Sequence, residues 1–182
     1  MAASAEAGEV VGKMAKVLII IAPENYQDKE FEETKEVIEK AGYQVEVASK
    51  YKGLAEGKLG GSYQVDKALR EVVVDNYDGL VFIGGPGAAI YINDEEAHQI
   101  ARIANSENKA VGAICMAPSI LANAGILTGR RVTVFPSEED NLRAKGAEII
   151  SSDVTVDGKI VTGSGPYAAK EFAYAFLDTL VK

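Results

Sequence analysis

Hydrophobic residues fall along this chain in short unbroken runs separated by amphipathic stretches. The first run, Lys16 to Ala22 (KVLIIIA), reads as a strand buried on both faces of a parallel sheet. A polar loop, Pro23 to Asp28, leads to a helical stretch from about Lys29 to Ala41. There Phe31, Thr34, Val37, Ile38 and Ala41 form the less polar side, and Gly42 serves as the C-terminal cap. Tyr43 to Ala48 alternates enough for a second strand, which completes a βαβ opening. Lys50 to Val65 is Gly-rich and predicts a small hairpin or loop excursion, after which Asp66 caps a short helix through Val74. Gly79 to Ile83 (GLVFI) is the third strand and ends in Gly84-Gly85-Pro86-Gly87. Asn93 or Asp94 then caps a helix whose inner stripe is Ala97, Ile100, Ala101 and Ala104.

The stretch from Lys109 to Gly125 departs from this rhythm. It begins as an apolar run of strand length and ends as a helical run closed by Gly125, with Cys115 between and no loop. A strand that becomes a helix through one residue bends sharply there and projects that side chain at the strand's carboxyl end. The small neighbours Ala113 and Ala117 let the bend close. A helix beginning at Met116 would aim its positive dipole end at the sulfur and favour the thiolate. Downstream, Arg131 to Val134 predicts a strand and Ser137 to Lys145 a polar helix. Two β-branched runs flanking Asp157-Gly158 predict a tight hairpin. Gly163-Ser164-Gly165-Pro166 opens a final helix, Tyr167 to Leu180.

Strands alternating with helices predict an α/β doubly wound sandwich with a mostly parallel central sheet. A chain of 182 residues with 47% hydrophobic and 25% charged residues suits one domain, taken as 16–182, after a loosely held extension at 1–15. Neither a secretory signal nor an apolar run of membrane-spanning length is evident, and a single cysteine forms no intrachain disulfide; the expected location is cytoplasmic. The 27 acidic residues outnumber the 19 basic ones, giving a formal net charge of −8. Such a surface repels phosphate backbones and anionic lipid, so neither nucleic acid nor a membrane is an expected partner.

In a parallel sheet, every loop that follows a strand emerges on the same edge. That edge should gather the Glu24 to Glu30 loop, the Gly84 to Gly87 turn and Cys115. Backbone amides at Gly84, Gly85 and Met116 are then candidates to hold an oxyanion. By its spacing Glu30 reads as an ordinary first-turn glutamate, and Ser164 as a turn residue. The only histidine, His98, is expected on a helix surface, which leaves Cys115 without an imidazole from its own chain. One His and one Cys fall short of a zinc ligand set, so neither metal nor cofactor is expected.

Several features together resemble the ThiJ/PfpI superfamily: Lys16–Ala22, Glu30 twelve residues before Gly42, Gly84-Gly85, Ala113-Ile114-Cys115 with Ala117-Pro118, and Val156-Asp157-Gly158 with Gly165-Pro166. The resemblance implies a flavodoxin-like fold, akin to class I glutamine amidotransferases, and a homodimer or higher homo-oligomer. It also implies a nucleophile elbow at Cys115 with a buried glutamate at Glu30 bonded to it. The family's peptidase branch carries histidine where this chain has Met116. Its deglycase-like branch carries histidine at Phe135 and arginine at Ser164, and the amidotransferase elbow Gly-x-Cys-x-Gly reads Ala113-Ile114-Cys115-Met116-Ala117 here. Phe135 and Ser164 are thereby substrate-pocket positions. These departures favour a glyoxalase- or deglycase-like enzyme whose substrate is a small-molecule carbonyl or a glycated compound. The alternatives are a redox-sensing or chaperone-like protein oxidised at Cys115, and a peptidase completed by a neighbouring subunit.

Overall fold

A computed structural model describes residues 15–180 of the chain. Its elements open with β1 (Lys16–Ile20), β2 (Glu24–Tyr26), α1 (Asp28–Lys40) and β3 (Gln44–Ser49), followed by the hairpin β4 (Gly53–Gly57) and β5 (Ser62–Val65). The short β6 (Lys67–Ala68) leads through two 3-10 turns to β7 (Gly79–Phe82), a 3-10 segment at Pro86–Tyr91 and α2 (Glu95–Ser106). Next come β8 (Ala110–Ile114), α3 (Pro118–Asn123), β9 (Arg131–Val132), α4 (Glu139–Ala144) and β10 (Glu148–Ile149). The chain closes with β11 (Val154–Asp157), β12 (Ile160–Gly163) and α5 (Ala169–Leu180).

Seven strands form the central sheet in the order β11-β12-β8-β7-β1-β3-β6. Only the edge hairpin β11/β12 is antiparallel; the other pairings are parallel, with Val17 opposite both Val45 and Gly79 and Leu80 opposite Val111. The α/β sandwich predicted from the alternation is therefore the fold observed. β7 and β8 are buried at every residue, and β1 after Lys16, because helices cover both faces. Helix α1 packs on α5, which also lies on β8 and β12, while α2 packs on α3 and β8. Most of the buried hydrophobic side chains among the described residues form one continuous cluster. No helix among these residues is long and apolar enough to cross a membrane.

The differences from expectation are local. The proposed extension at 1–15 lies outside the described residues except for Ala15, whose carbonyl accepts the Gln44 N–H at 3.0 Å. Asp66 caps no helix: its carboxylate accepts the Val47 N–H at 2.9 Å and so ties the following strand and 3-10 turns to β3. Asp157 closes its strand opposite Ile160, so the hairpin loop is Gly158-Lys159, one residue later than predicted. The strand predicted for Arg131 to Val134 ends at Val132, paired with β10, which the pattern did not announce.

His98 is the clearest correction. It is buried, and its Nε2 lies 2.7 Å from the Ile92 carbonyl. The inner stripe of α2 is one residue wider than its alanines suggested, because the ring nitrogen finds a backbone partner inside the protein.

Candidate active site

β8 ends at Ile114, and Cys115 takes φ +64, a left-handed conformation that costs a residue with a Cβ roughly 1–2 kcal/mol. The last residue of β12 and the loop after β9 hold it there. The Cys115 N–H donates to the Gly163 carbonyl at 2.9 Å, and the Cys115 carbonyl accepts the Phe135 N–H at 2.9 Å. The helix that follows is short and starts at Pro118, three residues past the sulfur rather than at Met116. The thiol itself is nearly enclosed, with 6% of the residue exposed.

Glu30 reaches the sulfur from the first turn of α1. Gln27 caps that helix by accepting the Glu30 N–H at 3.1 Å, and its own N–H donates to the Gly84 carbonyl at 3.0 Å. This pair of bonds locks the start of α1 to the end of β7. Glu30 is fully buried, and its Oε1 accepts the Gly84 N–H at 2.9 Å. Gly84 is required by space: a Cβ there would lie 2.6 Å from Cys115 Cβ and 2.9 Å from Glu30 Oε1. The second carboxyl oxygen, Oε2, has no partner of regular hydrogen-bond geometry, and neither has the Thr34 hydroxyl one turn further along.

The carboxyl and the thiol interact directly and shape each other's protonation. Burial pushes Glu30 up to about 7, against a smaller downward pull from the Gly84 amide and the thiol contact. Burial also pushes Cys115 up to about 12, helped by the adjacent Glu30 charge and resisted by the Gly85 and Met116 amides that point at the sulfur. Burial thus works against the helix-stabilised thiolate expected from the sequence and favours the protonated thiol. A six-residue helix does not offset the desolvation of a buried anion. Near neutral pH the thiol keeps its own proton, and the proton that the pair gains or loses there is the one on Glu30.

A cavity of about 180 Å³ opens onto the sulfur. Gly85, Pro86 and Pro166 supply one part of its wall and Met116 and Phe135 another, while Gln27 and Lys58 bring the polar side chains. Phe135 lines this cavity and is 40% exposed. Ser164 does not: it lines a separate depression beside Thr133, Pro136 and Asp153, with its N–H given to the Asp153 carbonyl at 3.0 Å. Gly84 also leaves the oxyanion set, because its N–H is committed to Glu30. The Gly85 and Met116 amides remain available. His98 does not line the cavity, and no group of three or more His, Cys, Asp or Glu side chains among the described residues is placed to hold a metal ion.

The model of the DJ-1/PfpI family matches residues 15–179. The chain belongs to the DJ-1/PfpI family. An uncharacterized protein of Methanocaldococcus jannaschii is 37% identical over 173 residues, covering 93% of this chain and 84% of that one. Deglycase PfpI of Pyrococcus furiosus is 36% identical over 151 residues, covering 83% and 90%. A crystal structure of a ThiJ/PfpI domain protein from Brachyspira murdochii superposes with TM-score 0.90 at 36% identity, covering 92% and 97%. More distant relatives are named a glutathione-independent glyoxalase in Caenorhabditis elegans and a putative cysteine protease in Bacillus subtilis, each 27% identical.

In this DJ-1/PfpI chain, spacing along α1 already carried a signal for Glu30 that the apolar count missed. Glu30 precedes Thr34 by four residues and Val37 by seven, which places it on the buried stripe. Gln27 and Pro86 lie in the loop and turn that the parallel topology gathers at this edge, and Pro166 in a motif of the resemblance, whereas Lys58 had no signal at all. These residues belong to loops whose folding over the sheet edge is set by tertiary contacts.

Proposed function

We propose that this chain is a cysteine-dependent enzyme acting on small reactive carbonyl compounds, of glyoxalase or deglycase type. The observation that carries the reading is a fully buried Glu30 carboxyl set beside the strained Cys115 across Gly84, where burial pushes the carboxyl pKa up toward neutrality. An acid with that pKa takes up and returns a proton at little cost near neutral pH. The relatives named deglycase support the same substrate class. We take residues 16–182 as one catalytic domain that works as a cytoplasmic homo-oligomer.

Glu30, as carboxylate, removes the thiol proton while the sulfur adds to the aldehyde carbon. A C–S bond forms, and the carbonyl π pair moves to oxygen, where the Gly85 and Met116 N–H groups receive the charge. Glu30 returns the proton to that oxygen, which completes a hemithioacetal. For a 2-oxoaldehyde, Glu30 then carries the proton from the hemithioacetal carbon to the adjacent ketone carbon, while the hydroxyl proton passes from the hemithioacetal oxygen to the ketone oxygen. One carbon is oxidised to a thioester while its neighbour is reduced to an alcohol. Water cleaves the thioester, freeing the thiol, and the sum is methylglyoxal plus water to lactate.

The two alternatives fit less well. A cavity of about 180 Å³ with no imidazole in its wall suits a small molecule better than a peptide. A thiol held protonated by burial reacts slowly with peroxide, which weighs against a redox sensor. The test follows methylglyoxal loss and lactate formation by wild type and Cys115→Ala, with fluorescent casein as control. Wild type should convert the two in equal amounts, and Cys115→Ala should lose at least about a thousandfold of kcat/KM. Background consumption by wild type, or equal rates in both, overturns the reading; Cys115-dependent casein cleavage establishes the peptidase instead.

A further inference from the structure

Among the described residues, Lys58 is the only charged side chain in the wall of the Cys115 cavity. It makes no ion pair among the described residues, in a chain whose formal net charge is −8. Its backbone is fastened with unusual care for an exposed hairpin tip. The Lys58 N–H donates to the Tyr26 carbonyl at 2.8 Å, and the Gly57 N–H donates to the Gly61 carbonyl at 2.7 Å. From beneath, the buried Asp28 carboxylate accepts the Leu59 N–H at 2.7 Å and the Gly61 N–H at 2.8 Å. The approach is so close that a Cβ on Gly57 would lie 2.1 Å from Asp28 Oδ1. Asp28 stands two residues before Glu30 in the same helical turn. The loop that carries Lys58 and the carboxyl that lies behind Cys115 are thus tied to the same helical turn.

A lone cation at the wall of a narrow cavity whose other side chains are uncharged gathers anions. We propose that Lys58 makes the Cys115 cavity anion-selective, and that the substrate class is a small reactive carbonyl compound bearing a carboxylate. The carboxylate pairs with the Lys58 ammonium while the carbonyl carbon meets the sulfur. The substrate class rests on the carbonyl reading above; the anion selectivity does not.

Iodoacetate and iodoacetamide test this without requiring turnover. Both transfer a two-carbon group to the sulfur with loss of iodide, and they differ only in carboxylate against amide. Second-order rates of Cys115 alkylation are measured by mass spectrometry for wild type, Lys58→Met and Lys58→Arg at low ionic strength. Iodoacetamide reports on thiol reactivity and cavity integrity, so the readout is the iodoacetate-to-iodoacetamide rate ratio. Lys58→Met should lower that ratio about tenfold, and Lys58→Arg should keep it within about threefold of wild type. A fall of less than threefold in Lys58→Met overturns the proposal, even if both rates change together. So does a Lys58→Arg ratio as low as that of Lys58→Met, since charge is then not the cause. If the ratio responds but wild type leaves methylglyoxal untouched, the anion site stands and the carbonyl enzyme falls. The reverse pattern keeps the enzyme and removes its preference.

Discussion

Two glutamates at opposite ends of the central sheet show how one residue type serves stability in one place and chemistry in another. Glu46 lies toward the amino end of β3, where it accepts the Tyr77 hydroxyl and pairs with Lys16 at 3.0 Å and Lys67 at 3.6 Å. Burial raises its pKa, but the Tyr77 hydrogen bond and the two lysines outweigh burial and hold the carboxyl below its ordinary value. Glu30, at the carboxyl end, is more deeply buried and has a single amide and a thiol for company, so burial wins. The supply of partners, not depth alone, decides the charge. A carboxylate with full partners holds the fold together, whereas one left short of them keeps a proton to exchange.

Exchanging each glutamate for its amide should separate the two roles most sharply in turnover. Glu30→Gln keeps an oxygen for the Gly84 N–H but has no titrating group, and kcat for methylglyoxal should fall at least about a hundredfold. Wild-type kcat/KM should rise with pH through an inflection near 7 that Glu30→Gln lacks. Glu46→Gln should leave both within about threefold of wild type. Steady-state rates between pH 5 and 9 on the three proteins decide the matter; equal losses in both variants would erase the contrast.

Stability should respond to pH with opposite signs at the two positions. Glu30 titrates at about 7 when folded and near 4.5 when unfolded, so the folded chain binds more protons between those values. Its contribution is fully present below the unfolded pKa and is lost as pH rises through the folded one, roughly 3 kcal/mol in all. Glu46 is depressed in the fold, so its contribution is present above the unfolded pKa and is lost as pH falls through the folded one. Denaturant unfolding at pH 5 and pH 8 should therefore show Glu30→Gln gaining on wild type at the higher pH. A Glu30→Gln curve parallel to wild type would place Glu30 in water.

Smaller again is the direct cost of Glu46→Gln, about 1–2 kcal/mol at pH 8. The amide still accepts from Tyr77, but it loses its attraction to Lys16 and Lys67. A lower unfolding midpoint with an unchanged m-value would register it. No change would mean that these partly exposed pairs hold nothing that water does not.

How much of this was legible in the sequence differs between the fold and the site. The buried strands announced themselves because a strand covered on both faces has apolar residues at every position, as in β1, β7 and β8. The bend at Cys115 was legible because a strand run and a helical run met with nothing between them. Other features depended on partners far away in sequence. Asp66 reads as a helix cap until the Val47 N–H, nineteen residues back, is seen to claim its carboxylate. The upward push on the thiol went unseen because helix polarity is local and visible in sequence, whereas burial is neither. Lys58 went unnoticed because a lysine among glycines looks like solvent-exposed loop; only the Asp28 clamp beneath makes it part of a site.

The smallest effect concerns the sulfur itself and points against intuition. A carboxylate beside a nucleophilic cysteine is readily credited with making the thiol more reactive. Above pH 7, however, Glu30 is ionised, and its charge opposes a second anion next to it, adding to the upward push of burial on Cys115. Glu30→Gln removes that charge, leaves the burial in place and offers the sulfur an amide N–H. The thiolate fraction at pH 9 should therefore rise, and iodoacetamide should alkylate Cys115 about threefold to tenfold faster than in wild type. A variant that alkylates faster while turning over far more slowly would locate the role of Glu30 in moving protons during reaction. Slower alkylation would mean that Glu30 draws the proton from the resting thiol, and the helix-favoured thiolate expected from the sequence would return.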